Sequence, residues 1–156
     1  MKLFRAAMVY YDGCIRMTPD ALFLQQFENR TLPFAQWTHR AHLKVAYLYL
    51  TQVDFDAAAQ KVCDGIRAYN AANNVQESLT SGYHQTTTMA WLHIMAAMIA
   101  EYGAAATADE FLDSQPQLTQ KKILRLFYSR ERFKSPEAKA TFVMPDLTDL
   151  PGKARK

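Results

Sequence analysis

Apolar residues recur along this chain at helical spacing, and each stripe follows a recognisable start. Thr18-Pro19-Asp20 supplies a threonine N-cap, proline at the first helical position and an acid near the positive dipole end. Leu22, Phe23, Leu24 and Phe27 carry that stripe as far as Asn29. Leu32-Pro33 interrupts it. A second helix is predicted from Phe34 or Thr38 to Thr51, its face built by His39, Leu43, Ala46 and Leu50. Asp54 caps a third through Ala72, with Phe55, Ala59, Val62, Ile66 and Tyr69 on one side. The polar stretch 73–81 reads as a loop closed by Gly82. A fourth helix is predicted from Tyr83 to Tyr102, with Trp91, Met95, Met98 and Tyr102 on a core face.

Thr107-Ala108-Asp109-Glu110 reads as a capping box, Glu110 reaching back to the N-cap amide, and opens a short helix that stops before Pro116. Leu118 to Tyr128 reads as a further helix, and Ser135-Pro136-Glu137 begins the last. Residues 144–151 are expected to lie extended on the surface. No alternating strand pattern is recognised and no internal repeat is visible. The expected class is all-α: a compact single-domain bundle of about five to seven helices.

Composition fits this picture. With 156 residues, 49% apolar and 21% charged, the chain is long enough to bury one core. Its richest apolar run, Trp91 to Ala100, contains His93 and falls far short of the ~18 residues of a membrane span. Met1 to Tyr11 lacks the pattern of a cleaved signal. Cys14 and Cys63 form no metal or disulfide spacing, which points to a reduced, cytoplasmic setting. Met17 directly precedes the first cap. The expected division is therefore a 1–16 N-terminal extension ahead of a native start, a 17–151 helical domain and a 152–156 basic tail.

Charge is unevenly spread. Residues 1–120 hold 8 basic and 11 acidic side chains; residues 121–156 hold 10 and 4. Lys121, Lys122, Arg125, Arg130, Arg132 and Lys134 supply most of that excess. A solvated helix face accounts for them more simply than nucleic-acid binding, which calls for interleaved stacking aromatics beyond Phe127 and Tyr128.

The chain has four histidines, three of them in unusual settings. In Trp37-Thr38-His39-Arg40-Ala41-His42-Leu43 two imidazoles stand three apart, neighbours on one helical face. In Gly82-Tyr83-His84-Gln85-Thr86-Thr87-Thr88 a third stands at the start of the fourth helix, sharing a face with Thr87, Thr88 and Trp91. His93 is out of phase with it. Two imidazoles from one helix and one from another would make a three-nitrogen site for Zn²⁺, Fe²⁺ or Mn²⁺, with an open position for water. Water bound there would supply hydroxide near neutral pH. Tyr83, Gln85 and Glu28 are the candidates for catalytic or further ligand roles, and Thr87, Thr88 and Trp91 for the substrate pocket. A hydrogen-bonded core cluster is the competing reading, because an HxxH pair is common by chance. Arg40 is expected to be solvated or ion-paired. Cys63 has no activating neighbour and is expected to act as a small hydrophobe.

Thr31-Leu32-Pro33, the WTHRAHL segment at 37–43, Ile66-Arg67-Ala68-Tyr69-Asn70 and Gly82-Tyr83-His84-Gln85-Thr86 together resemble a group of small bacterial all-helical proteins. So do Phe127-Tyr128-Ser129, Ser135-Pro136-Glu137-Ala138 and Pro145-Asp146-Leu147. The resemblance covers residues 17–151 and rests on shared WTHxxHL and GYHxT motifs. It implies that His39, His42 and His84 act together, but it supplies no reaction. Similar sequences carry Gly-Tyr-His-Glu-Thr where Gln85 stands here, which puts the role of position 85 in question.

Two classes of function follow. One is a small metal-dependent, hydrolase-like enzyme acting on a small molecule. The other is a metal-free small-molecule-binding module, or an interaction protein that docks an acidic partner on its basic C-terminal segment. The expected partners are a small-molecule ligand or substrate and a second copy of the chain as a homodimer. A membrane is excluded and nucleic acid disfavoured.

Overall fold

Helix starts are the most literal translation of sequence into structure here. A computed structural model describes residues 8–11 and 14–152. Its helices are α1 (Pro19–Glu28), α2 (His39–Leu50), α3 (Phe55–Ala72), α4 (Gln85–Tyr102), α5 (Ala108–Ser114), α6 (Arg130–Phe133) and α7 (Pro136–Ala140). Each opens on a side chain that accepts an amide of its first turn: Thr18, Thr38, Asp54, His84, Thr107, Ser129 and Ser135. These caps satisfy donors that a helix leaves free. The fold is all-α and compact, as expected from the pattern.

α2 is the central helix. It packs against α1, α3, α4 and α5, and its residues Leu43, Val45, Ala46, Tyr47, Leu48 and Tyr49 are all buried. Lys44, on the same helix, is buried too. Its ammonium is held by Asp20 of α1 at 3.0 Å and Asp109 of α5 at 2.6 Å, while Asp20 also accepts the Ala108 amide at 2.8 Å. Arg40 pairs with Asp109 at 3.0 Å and Asp113 at 2.9 Å, so it is ion-paired as expected. Burial works against the Asp109 charge, but Lys44 and Arg40 outweigh it and hold the carboxyl below its usual range. α1 and α3 approach closely where Gly65 faces the Phe27 ring; a Cβ at Gly65 would stand 2.7 Å from that ring.

The structure departs from the sequence pattern in several places. Met8–Tyr11 and Cys14–Met17 pair as an antiparallel two-stranded ribbon, Met8 opposite Met17 and Tyr11 opposite Cys14. The Asp12-Gly13 dipeptide between them is a hairpin signal that the helical reading passed over. Most of the expected 1–16 extension and residues 153–156 of the tail lie outside the described residues or in this ribbon. The 118–128 stretch is not α-helical: it forms 3-10 helices at Pro116–Thr119 and Lys121–Leu126. Glu110 accepts the Ala106 amide at 3.0 Å rather than that of the cap residue Thr107. Tyr102 is exposed instead of facing the core, because it is the last residue of α4. In the extended C-terminal stretch Val143 and Leu150 are buried, so this segment closes the core as well as crossing its surface.

Candidate functional site

The N-terminal turns of α2 and α4 meet over a cavity of about 410 Å³. Its walls include His39, His42, Thr38, Leu43 and Ala46 of the α2 segment, Thr87, Thr88 and Trp91 of α4, and Ile66 of α3. Val62 of α3, Leu92 of α4, and Trp37, Lys121, Leu124 and Phe133 complete it. The chain has two tryptophans, and both line this space. Such a cavity, mostly apolar with a few convergent polar groups, has the character of a small-molecule site.

The protein backbone fixes the tautomers of both imidazoles. His42 Nδ1 lies 2.7 Å from the Thr38 carbonyl oxygen and His39 Nε2 lies 3.1 Å from that of Leu118. A carbonyl only accepts, so each of those nitrogens carries the proton. His42 Nε2 and His39 Nδ1 are left as the acceptor nitrogens. Burial holds the His42 pKa down to about 4, opposed by the Thr38 hydrogen bond and assisted by repulsion from Lys121 and, once that ring is protonated, from His39. Burial lowers the His39 pKa as well, opposed by the Leu118 bond and assisted by Lys121. At neutral pH both rings are uncharged acceptors. Rings on either side hold them: His42 lies 3.9 Å from the Trp37 indole and His39 lies 4.8 Å from that of Trp91.

His84 is near this cavity but not in its lining. It is the N-cap of α4, where Nδ1 accepts the Thr87 amide at 3.2 Å and Nε2 donates to the Phe133 carbonyl at 3.2 Å. Its ring stacks on Phe133 at 5.0 Å. Both nitrogens are thereby engaged, and burial lowers its pKa against the pull of the Phe133 bond, with Lys139 adding to the lowering. Thr87 and Phe133, which His84 fixes, are both cavity walls. Among the described residues no group of three or more His, Cys, Asp or Glu side chains is arranged to hold a metal ion.

The rest of the GYHQT motif builds the platform for that cap. Gly82 has φ +82°, and a Cβ there would meet the Glu77 carboxylate at 2.3 Å, so glycine is required twice over. Glu77 accepts the Tyr83 amide at 2.8 Å, and Lys139 ties Glu77 to the carbonyls of Ser81 and Tyr83. Thr86, fully buried, donates to the Thr141 carbonyl at 2.8 Å and accepts the Val143 amide at 3.1 Å.

Tyr83 and Gln85 belong to a separate cluster. Gln85 Oε1 accepts from the Tyr83 hydroxyl at 2.8 Å and from Arg67 at 2.7 Å, and its amide nitrogen lies 3.8 Å from the Cys63 sulfur. The Arg67 guanidinium also covers the Tyr83 ring at 4.2 Å. Burial and the adjacent Cys63 thiol push the Tyr83 phenol up. Glu28 is at the end of α1 and accepts from the Tyr49 hydroxyl at 2.8 Å. Neither Glu28, Tyr83 nor Gln85 lines the cavity. His93 is buried between the rings of Phe55, at 4.5 Å, and Phe142, at 5.7 Å, away from the cavity.

The histidine and threonine spacing therefore located five cavity residues: His39, His42, Thr87, Thr88 and Trp91. It missed Trp37, Lys121, Leu124 and Phe133. Trp37 stands just before the cap of the helix that carries the histidine pair, which is a usable signal; the other three come from segments far along the chain and have none. No protein-family model, curated protein or solved structure matches the chain.

Proposed function

We propose that the cavity between α2 and α4 is a metal-free binding site for a small organic molecule with an apolar body and an anionic or hydrogen-bond-donating group. The observation that carries this reading is the pair of backbone-fixed neutral imidazoles at the wall of an apolar cavity that also contains Lys121. Tryptophan and leucine walls take the apolar body, and His39 Nδ1 and His42 Nε2 accept a proton-bearing group. Lys121 favours a negative charge. Trp37, Thr38, His39, His42 and Leu43 of the WTHxxHL segment line the cavity, and His84 of the GYHxT segment holds its walls Thr87 and Phe133 from outside. The free, buried thiol of Cys63 suits a cytoplasmic setting.

A metal-dependent enzyme has one observation in its favour: metal-binding histidines also donate their second ring nitrogen to a carbonyl. Against it stand the double engagement of His84 and the positive charge of Lys121 beside both remaining imidazoles.

Because both tryptophans line the cavity, intrinsic fluorescence reads its occupancy directly. Chelator-treated protein titrated with phenol, whose ring fits the apolar walls and whose hydroxyl donates to an acceptor imidazole nitrogen, is expected to show a saturable change in emission and a rise in Tm. Both responses should vanish in a His39→Ala/His42→Ala variant that remains folded by circular dichroism. A silent titration overturns the binding reading. One equivalent of zinc, iron or manganese retained by the untreated wild type and lost in the double variant would replace it with the metal-dependent one.

A further inference from the structure

A second concavity, of about 670 Å³, adjoins the cavity and shares Lys121, Leu124 and Phe133 with it. Lys121, Lys122, Arg125, Arg130 and Lys134 line it, and no carboxylate does. Elsewhere Arg40, Lys44, Arg67, Arg132 and Lys139 face carboxylates within 4 Å and Lys61 lies over the Tyr49 ring, while Arg16 and Arg30 stand singly rather than in a cluster. None of the five groove cations has an ion-pair partner among the described residues. Asp146, which accepts the Ser129 amide at 2.8 Å, and Glu131 are close in sequence, but neither lines the groove nor pairs with one of its cations.

Local structure explains the clustering. Residues 121–126 form a 3-10 helix, in which side chains three apart stand over one another. Lys122 and Arg125 share one edge, and Lys121 and Leu124 the other, so the turn offers two cations to the groove from one edge. On the other edge it offers an apolar wall and a third cation to both spaces.

We infer that the groove is the phosphate subsite of the ligand held in the cavity, so that this protein binds an organic phosphate whose apolar, ring-like head enters between Trp37 and Trp91. The inference rests on the cavity reading given above. A phosphate monoester carries about 1.5–2 negative charges at neutral pH and three acceptor oxygens, and arginine meets such a group with two parallel donors. Five unmatched cations exceed what one carboxylate neutralises and suit a phosphate or diphosphate. Continuity with the cavity favours a small ligand over a nucleic acid or an acidic protein, because the head group must enter a space walled by both tryptophans.

Phenyl phosphate and phenol, which share a ring and differ in the phosphate, separate the two parts. Tryptophan emission is titrated with each in wild type and in a Lys122→Glu/Arg125→Glu variant, both exposed positions outside the cavity lining. In wild type, phenyl phosphate is expected to bind about tenfold or more tighter than phenol, with an affinity that falls as salt rises. In the variant its Kd is expected to rise about tenfold or more while that of phenol changes less than about twofold. Equal binding of the two probes, or a variant that leaves phenyl phosphate unaffected, overturns the phosphate subsite and leaves the cavity reading standing. Failure of both probes to alter emission removes the cavity reading, and the subsite with it. Binding of duplex DNA that the variant abolishes, with phenyl phosphate inert, also overturns the inference and marks a macromolecular surface.

Discussion

The imidazole of His42 lies 3.9 Å from the indole of Trp37, ring centre to ring centre and tilted by 32°. Trp37 rests in turn on Tyr69 at 4.6 Å and Phe27 at 5.1 Å, so a histidine at the cavity wall is coupled to an aromatic stack in the core. The Tyr69 hydroxyl donates to the buried Leu32 carbonyl at 2.8 Å and locks the far end of that stack.

This contact makes the protonation of His42 visible and gives it a sign. Its pKa falls from 6.5 to about 4 on folding, chiefly by burial. A lowered pKa means that the unfolded chain takes up the proton first, so stability present above pH 6.5 is lost as pH falls towards about 4. His39 and His84 are lowered too and act in the same direction. Urea denaturation of the wild type is expected to show weaker folding at pH 4.5 than at pH 7.5, an interval chosen to span about two units of the His42 transition. In His42→Phe, which keeps a ring against Trp37, the difference should shrink, and a fluorescence titration step near pH 4 should disappear. An identical pH dependence in the variant would refute this assignment.

His84 acts through the residues it caps. Replacing it with asparagine preserves a short acceptor for the Thr87 amide, whereas alanine removes it. Both lose the bond to the Phe133 carbonyl. His84→Ala is therefore expected to be less stable than His84→Asn by about 1 kcal/mol, the ordinary value of an N-cap. Melting curves of the two variants compare them directly, and equal losses would sink the capping role.

How far the sequence disclosed this arrangement depends on which interactions were local. The Thr18, Asp54 and Thr107 caps act within three residues of themselves and stand where the pattern put them, while Thr38 and Ser135, read only as helix starts, are caps as well. That His39, His42, Thr87, Thr88 and Trp91 face one space was legible because helical phase brings them to two faces that a bundle apposes. His84 was read as a third ligand beside His39 and His42 and not as the N-cap of α4, since histidine in that position gives no sequence signal. Lys121 and Phe133 owe their places to the 3-10 geometry of 121–126 and to the turn that follows. There, nonlocal contacts such as His39 with the Leu118 carbonyl override an apolar periodicity that reads as an α-helix.

Gln85 places an uncharged acceptor between Tyr83 and Arg67. In this chain one amide oxygen accepts from both Tyr83 and Arg67, an arrangement a carboxylate would satisfy more strongly. Gln85→Glu is thus expected to stabilise the fold. Arg67 is half exposed, so the gain is limited to about 0.5 kcal/mol and should decline in high salt. Differential scanning calorimetry at low and high ionic strength reads both effects. Phenol affinity should be unchanged, because residue 85 is outside the cavity lining; a marked change in affinity would show that the residue acts on the ligand after all.

Gly65 sets two expectations against each other. It sits inside α3, where alanine has a helix propensity about 1 kcal/mol better. Yet the added Cβ would stand 2.7 Å from Phe27 Cε1 and Cζ. Phe27 is 1% exposed and backed by Trp37 at 5.1 Å and Tyr69 at 6.0 Å, so its ring has no room to retreat. Overpacking of this kind costs about 1–3 kcal/mol, enough to cancel or reverse the propensity gain. Gly65→Ala is therefore expected to lower stability in urea and to shift tryptophan emission, since displacing Phe27 moves Trp37 at the cavity wall. A more stable variant with unchanged emission would mean that α1 and α3 separate freely, and that the aromatic stack does not transmit packing to the site.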